Sequence, residues 1–165
     1  MALEPAVTDL EQLKSHAEVA ALLAWNHASV EGAKFDRNEL TIYVERTHLR
    51  GACHTLRNEH ALQYDSLADL TCVDWYPSQP RFEVVYHLFS TVTKQRVRLK
   101  VRLSEADPSV DSLTPLWPGA NFFEREVFDL FGIRFNEHPN LKRILMPDNW
   151  EGHPLRKDYP VEGYR

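Results

Sequence analysis

The chain has 165 residues, a net charge of −5, 43% hydrophobic and 26% charged residues. These values are typical of one globular domain, exclude general disorder, and are unusual for a nucleic-acid-binding protein, which is normally basic. Two cysteines, Cys53 and Cys72, are too few for a disulfide scaffold, an iron–sulfur cluster or a cysteine-rich zinc site. The composition therefore predicts a single domain with no nucleic-acid partner and no thiolate-bound iron.

The sequence contains no candidate membrane span. No apolar run approaches the ~20 residues that a membrane-spanning helix needs. The first residues also lack the basic region and apolar stretch of a secretion signal. We therefore expect the chain to be made and kept in a cytosol-like compartment.

The first part of the chain predicts a helix, a strand and a second helix. Thr8 and Glu11 have the spacing of a capping box, so a helix is expected to begin there. Residues 39–45 alternate between apolar and polar side chains, which predicts a half-buried strand. Thr47 is a candidate cap for the second helix. That helix has a predicted buried stripe of Leu49, Ala52, Cys53 and Leu56.

Residues 67–75, 82–89 and 95–103 predict three more strands, of which the last two form a hairpin. The resulting order, α-β-α-β-β-β, is typical of an α+β fold, with a mostly antiparallel sheet and helices packed on one face. An irregular, extended C-terminal arm is expected to follow. We expect residues 1–106 to form the α+β core and residues 107–165 to add one helix and the arm to the same domain.

One face of the last predicted strand is strongly basic. It carries Lys94, Arg96, Arg98, Lys100 and Arg102, whereas the residues between them are mainly aliphatic. A surface for single-stranded nucleic acid would carry aromatic side chains on the basic face. A solvated sheet face is therefore the favoured interpretation, and contact with an acidic partner is the alternative.

The last third of the chain contains one predicted helix, capped by Asn121 and ended by Gly132. Its carboxylates, Glu124, Glu126 and Asp129, could in principle serve acid–base chemistry. Helix capping combined with contact to another subunit is the favoured interpretation, because carboxylates in a first turn are stabilised by the helix dipole. Arg125 and Asp129 are also spaced as an i,i+4 ion pair.

Two His-Pro pairs raise the possibility of a metal site. His138 and His153 have Asp148 and Asp158 nearby in sequence, and such side chains can bind zinc or iron. Neither histidine has a second ligand at the spacing of most strong metal motifs, so loop-fixing hydrogen bonds are the favoured role. A small metal-dependent enzyme using His138 and His153 remains a remote alternative. The sequence has no P-loop, GxGxxG or GxSxG motif, and no catalytic residue is predicted.

Aromatic and apolar residues are concentrated in the proline-rich segment 113–123. Aromatic anchors in irregular chain often mark a protein–protein interface. The same residues could instead cover the core of the domain itself. The two interpretations are equally supported by the sequence.

Residues 117–133, WPGANFFEREVFDLFGI, closely resemble the signature of the C-type subunit family of complex I, the thirty-kilodalton subunit of NADH:quinone oxidoreductase. The similarity continues through residues 137–139, 141–147 and 150–160. Upstream, residues 68–70, 73–74 and 81–87 also resemble the family. The resemblance covers nearly all of the chain after residue 38.

The resemblance implies a structural subunit in the peripheral arm of a proton-translocating NADH:quinone oxidoreductase. Such a subunit packs against the D-type subunit of complex I near the quinone site, contacts other peripheral-arm subunits, and reaches the membrane only through the complex. FMN, iron–sulfur clusters and quinone belong to other subunits, so no cofactor or catalytic residue is expected here. The implied location is the cytoplasmic side of the bacterial inner membrane. An equivalent subunit of a ferredoxin-dependent or hydrogenase-type complex is the alternative.

The resemblance also implies which elements meet the partner, namely the helix at 124–131 and a partner-binding arm at 138–160. We expect Arg125, Arg143, Arg156 and Lys157 to bind carboxylates of the partner, and Trp117 and Trp150 to anchor the arm. The complete set of expected interface residues is Trp117, Glu124, Arg125, Glu126, Asp129, His138, Arg143, Trp150, His153, Arg156, Lys157, Asp158 and Tyr159.

Overall fold

A computed structural model describes residues 5–163 of the chain. The expected core region, 1–106, and the expected helix-and-arm region, 107–165, also include residues 1–4 and 164–165, which lie outside the described part. The helices and strands follow in the order α1 (Leu10–Leu13), α2 (Ala17–Trp25), β1 (Val30–Asp36), β2 (Glu39–Val44), α3 (Leu49–Asn58), β3 (Ser66–Asp74), β4 (Phe82–Phe89), β5 (Arg96–Leu103), β6 (Ser109–Asp111), α4 (Ala120–Phe131) and β7 (Arg134–Asn136).

Five strands form one sheet in the order β1-β2-β5-β4-β3. All neighbours run antiparallel except β2 and β5, which pair in parallel. Ile42, Leu99, Tyr86 and Leu70 lie side by side across four of these strands and are buried. They share one hydrophobic core with buried residues of α2, α3 and α4. The expected α+β class is therefore confirmed.

Periodicity explains the elements that the sequence predicts well. The four apolar residues of the α3 stripe are fully buried, because they recur on one side of the helix. In β5, Val97, Leu99, Val101 and Leu103 are buried and the basic residues point to the other face. Gly132 ends α4 with a left-handed conformation, φ +75°, as expected for a helix-terminating glycine.

Three predicted helix caps are wrong. In α1 the cap is Asp9 instead of Thr8, because the Asp9 carboxylate accepts a hydrogen bond from the Glu11 N–H at 3.0 Å. Thr47 lies within a turn of 3-10 helix, Arg46–His48, which precedes α3. Gly119 caps α4, so Asn121 is inside the helix. Each observed cap lies within two residues of the predicted one, because a sequence motif alone does not decide which of several adjacent residues begins the helix.

The sequence interpretation also missed three strands. β1 lies at the edge of the main sheet and pairs with β2, and part of it is only half buried, so its periodicity is weak. β6 and β7 are three residues each and pair in parallel on either side of α4 in the chain. None of the helices within residues 5–163 is long and apolar enough to cross a bilayer.

Candidate functional site

The last turn of α4 carries a buried carboxylate that organises the arm, residues 138–160. Asp129 Oδ2 accepts hydrogen bonds from the backbone N–H groups of Ile144, Leu145 and Met146 at 3.0, 2.7 and 2.8 Å. Its Oδ1 lies 2.6 Å from Arg143 Nη1. Burial opposes ionisation of this carboxyl, but the three N–H groups and Arg143 outweigh it and lower the Asp129 pKa. The carboxylate is therefore charged, and both of its oxygens accept hydrogen bonds from groups of its own chain.

Arg143 extends this contact along the arm. Its Nη2 donates hydrogen bonds to the carbonyl oxygens of Trp150 and Gly152, both at 3.0 Å. The Nδ1–H of His153 donates to the carbonyl of Asp129 at 2.9 Å. Through these bonds the middle of the arm is held against the end of α4, although it contains no helix or strand.

A close approach at Gly132 continues the attachment. Arg156 Nε–H donates to the Phe131 carbonyl at 2.6 Å, and its guanidinium carbon lies 5.1 Å from the centre of the Phe82 ring. A Cβ at position 132 would lie 2.6 Å from both Arg156 Nη2 and His153 Nε2. Glycine is therefore required here both for its positive φ and for the space that the two arm side chains occupy.

The end of the arm is bound to the sheet by Arg81, which is fully buried. Its guanidinium donates to the Asp74 carboxylate at 3.0 and 2.9 Å, to Asp158 at 2.6 and 3.0 Å, and to Glu105. The Lys157 N–H also donates to Asp74. Burial opposes ionisation of Asp74, but Arg81 and backbone N–H groups lower its pKa to about 2. This buried cation is shared by the β3–β4 hairpin and the arm.

The sequence interpretation did not include Arg81 in the site. The pairing of Arg81 with Asp74 could have been predicted from the β3–β4 hairpin. Its register places Asp74 opposite Phe82, the residue after Arg81. Opposite charges on facing strand ends predict an ion pair. The contact with Asp158 has no such signal, because it spans 77 residues of chain.

Glu124 is also buried, and its carboxylate accepts hydrogen bonds from the segment that follows β6. Its Oε1 accepts from the Leu113 N–H at 2.6 Å and its Oε2 accepts from the Ser112 hydroxyl at 2.7 Å. Burial raises its pKa to about 7, although both hydrogen bonds act in the opposite direction. Its Oε2 lies 3.9 Å from His138 Nε2. Through these two hydrogen bonds Glu124 links α4 to the segment after β6. Its side chain has no solvent exposure, so it presents no reacting atom at the surface.

Some of the expected interface residues are buried in the domain and others lie at its surface. Trp117, Glu124 and Asp129 are buried, so they can act on a partner only through other residues of this chain. Arg125 donates to the carbonyls of Lys142 and Arg143, and the predicted Arg125–Asp129 pair is wrong because Arg143 occupies that carboxylate.

Other expected interface residues lie nearer the surface. Glu126, Trp150 and Lys157 are exposed, and Tyr159 is half-buried with its N–H bonded to the Arg156 carbonyl. The contacts of these residues with a partner stay a prediction. Trp117 belongs to the domain core, which resolves the two interpretations of segment 113–123 for that residue.

Both histidines considered as metal ligands bind backbone groups. His138 Nε2–H donates to the Asn121 carbonyl at 3.2 Å, and its Nδ1 accepts from the Asn140 N–H at 3.0 Å. His153 donates to Asp129 as described. Burial lowers the pKa of both histidines. Within residues 5–163, no group of three or more His, Cys, Asp or Glu side chains is placed to hold a metal ion.

Comparison with known proteins places these residues in a family context. The sequence profile described as "Respiratory-chain NADH dehydrogenase, 30 Kd subunit" matches residues 42–165. The C-type subunit of NADH-quinone oxidoreductase from Roseiflexus sp. strain RS-1 is 48% identical over 161 residues, 98% of this chain and 87% of that protein. The same subunit from Citrifermentans bemidjiense is 51% identical over 127 residues, 77% of this chain and 78% of that protein.

Two solved structures are also similar. A trypsin-resistant fragment of Nqo5 is 37% identical with a TM-score of 0.54, covering 62% of this chain and 83% of the fragment. A chain of the membrane-bound sulfane sulfur reductase, an archaeal respiratory membrane complex, has a TM-score of 0.74 over 90% of this chain and 86% of that chain. Its sequence identity of 24% shows a shared fold and no more.

Proposed function

The chain belongs to the family of the 30 kDa subunit of respiratory-chain NADH dehydrogenase, and we propose that it is the C-type subunit of a proton-translocating NADH:quinone oxidoreductase. The family relationship makes it part of a multisubunit oxidoreductase complex, as a subunit of the peripheral arm. The finer proposal is that it packs against the D-type subunit near the quinone site, on the cytoplasmic side of the bacterial inner membrane.

The observation that carries this proposal is the way in which the arm is built. Residues 138–160 lie within the part matched by the family profile and contain no helix or strand. They are nevertheless held by Asp129, Arg143, Arg156 and Arg81 through side-chain hydrogen bonds. Irregular chain that is ordered before binding loses little conformational entropy when a partner docks. This construction favours a surface for stable association over a catalytic loop.

We also propose that this chain carries no cofactor and that electron transfer belongs to its partners. Cys53 and Cys72 are buried, and burial raises the pKa of both thiols, to about 12 for Cys72. A thiol must lose its proton to bind iron or zinc. The two buried thiols support assigning iron–sulfur clusters to other subunits of the complex, and the family resemblance implies the same for FMN and quinone.

The proposal can be tested by purifying the tagged chain from gently solubilised membranes of its native host. Mass spectrometry should recover the D-type subunit together with the flavin- and cluster-bearing subunits. Recovery with hydrogenase-type or ferredoxin-dependent subunits would reassign the electron donor and support the related class of complex. Recovery of the chain alone would contradict the subunit assignment.

A further inference from the structure

Strand pairing places aromatic side chains on the basic face of the sheet, which the sequence of β5 alone does not show. Tyr43 of β2 pairs with Lys100, and Phe89 of β4 pairs with Arg96, so each ring shares a face with a cation. The guanidinium carbon of Arg102 lies 4.8 Å from the centre of the Tyr43 ring, within the distance of a cation–π contact. The open face of the sheet, which carries the basic residues of β5, therefore combines cations with aromatic rings.

A cleft of about 410 Å³ lies at one end of this open face. Its volume falls within the range of about 300–1,000 Å³ that is typical of small-molecule sites. The residues that line it are Tyr43, Trp75, Ser78, Gln79, Pro80, Glu83, Lys100 and Arg102. We call it the Trp75 cleft, because Trp75 is the aromatic residue of this lining that is most exposed to solvent, at 48%.

The Trp75 cleft has one more cation than its carboxylate can neutralise. Lys100 Nζ lies 2.7 Å from Glu83 Oε1, and Arg102 Nε lies 3.7 Å from Glu83 Oε2. Glu83 is the one carboxylate among the described residues that line the cleft, and its side chain is buried. Glu105 lies beside the cleft but is paired with Arg81. An anion bound in the cleft would therefore complement its charge.

The backbone of Trp75 is held in place by the buried ion pair of the β3–β4 hairpin. Its N–H donates to the Arg81 carbonyl at 2.7 Å, and its carbonyl accepts from the Ser78 N–H at 2.8 Å. The next residue, Tyr76, donates its N–H to the Asp74 carboxylate at 2.9 Å, and its ring centre lies 4.9 Å from the Arg81 guanidinium carbon. The backbone that carries the exposed indole is therefore ordered before a ligand binds, which lowers the entropic cost of binding.

We propose that the Trp75 cleft binds a small planar anion, namely an aromatic or heteroaromatic ring that carries a phosphate or carboxylate group. Arg102 and Lys100 bind the anionic group through charge-assisted hydrogen bonds. The ring of the ligand stacks on the indole of Trp75. Tyr43 orients Arg102 through the cation–π contact. The site needs no other subunit, so the inference is independent of the proposed function.

A larger cleft at the other end of the open face, of about 490 Å³, lacks this combination. Its lining includes two cations, Arg96 and Arg98, and two carboxylates, Glu39 and Asp69, so these charges already balance. Burial lowers the pKa of His87, which also lines it, so this histidine adds no full charge at neutral pH. The lining contains no tryptophan, tyrosine or phenylalanine. A planar anion therefore fits the Trp75 cleft better.

Isothermal titration calorimetry of the purified full chain tests the proposal with adenosine monophosphate (AMP), adenosine and inorganic phosphate. AMP carries both a ring and a charge, whereas adenosine has only the ring and phosphate only the charge. We expect AMP to bind about tenfold or more tightly than either of the other probes. Trp75→Ala should weaken AMP binding about tenfold and leave phosphate binding unchanged. Arg102→Met should weaken the binding of AMP and of phosphate about tenfold and leave adenosine binding unchanged.

Trp25→Ala and Arg57→Met are matched controls, because both side chains are exposed and neither lines the Trp75 cleft. Both variants should bind AMP as the wild type does. A thermal melt checks that each variant is folded, and Trp75→Leu replaces Trp75→Ala if that variant is unfolded.

Three results would overturn the inference. The first is no binding of AMP at millimolar concentration, and the second is an equal loss of AMP binding in the cleft variants and the controls. The third is an aspartate-rich peptide that binds more tightly than AMP and depends on Arg102 but not on Trp75, because the cleft would then be a site for an acidic peptide.

Discussion

Arg81 and Asp158 form a two-bonded ion pair across 77 residues of chain, with Nη2–Oδ1 at 2.6 Å and Nη1–Oδ2 at 3.0 Å. The same guanidinium binds Asp74 on β3, and the aromatic rings of Tyr76 and Phe82 lie 4.9 Å from it. One buried cation therefore holds the end of the arm against the hairpin of the main sheet.

Replacing Arg81 by methionine should destabilise the chain by about 3–5 kcal/mol, because it leaves the buried Asp74 carboxylate without its cation. Equilibrium unfolding in urea measures this change. Arg102→Met is the control, since Arg102 is half exposed on the open sheet face and its nearest ion pair is 3.7 Å long. We expect that variant to change stability by less than about 1 kcal/mol. Equal effects of the two substitutions would contradict the role of Arg81.

Replacing Asp129 by asparagine should release the arm while leaving the sheet intact. The amide lacks the charge that three N–H groups share, and its NH₂ group would face Arg143. We expect a loss of about 2–4 kcal/mol and faster hydrogen exchange at the amides of residues 144–146. Asp148→Asn, at an exposed position, should leave these amides protected. Unchanged protection in the Asp129 variant would argue against this account of the arm.

Replacing Gly132 by alanine should be costly for two independent reasons. The left-handed conformation costs a residue with a side chain about 1–2 kcal/mol, and the new methyl group would meet Arg156 and His153 at 2.6 Å. Gly119 offers a matched control, because its φ is −63° and no atom beyond its two chain neighbours lies within 4 Å of a Cβ there. Gly119→Ala is expected to change stability by less than about 1 kcal/mol, because the lower entropy of the unfolded chain is opposed by the poorer fit of alanine at the N-cap of α4. Thermal denaturation of the two variants tests the difference.

Stability should depend on the protonation of Glu124. Its pKa rises from the usual 4.5 to about 7 in the folded chain, mainly because of burial. The folded state therefore binds more protons than the unfolded state between these pH values, and the resulting stabilisation is complete below pH 4.5 and lost as pH rises towards 7. The stability of the wild type relative to Glu124→Gln should decline over this range by roughly 3 kcal/mol at most.

Urea unfolding at a series of pH values measures the Glu124 effect. The lowered pKa values of His138 and His153 act in the opposite direction, losing stability as pH falls below 6.5, but both histidines are present in each variant. Arg50 and His138 face Glu124 and are also unchanged. Glu126→Gln, at an exposed position on the same helix, is the control, because it removes a carboxylate of α4 and leaves Glu124 in place. A flat difference for Glu124→Gln would show that its pKa is not raised.

Much of the fold could be predicted from periodicity. The stripe of α3, the alternation of β5 and the stop at Gly132 are local patterns in which each residue reports its own environment. The weakly periodic edge strand β1 and the short pair of β6 and β7 were missed, because their pairing depends on strands or segments elsewhere in the chain. The predicted caps are wrong by one or two residues, because a local motif does not decide which of several adjacent residues begins a helix.

By itself, the sequence determined the α+β class, the main strands and the family resemblance, which is most specific in the last third of the chain. Only the tertiary structure decided what the charged residues in the last third of the chain bind. Arg143 and Arg156, expected to bind a partner, are occupied within the chain, and Arg81 is joined to Asp158. The physical reason is that the arm has no internal periodicity. Its path is determined by long-range hydrogen bonds to buried groups, and such bonds leave no local pattern in the sequence.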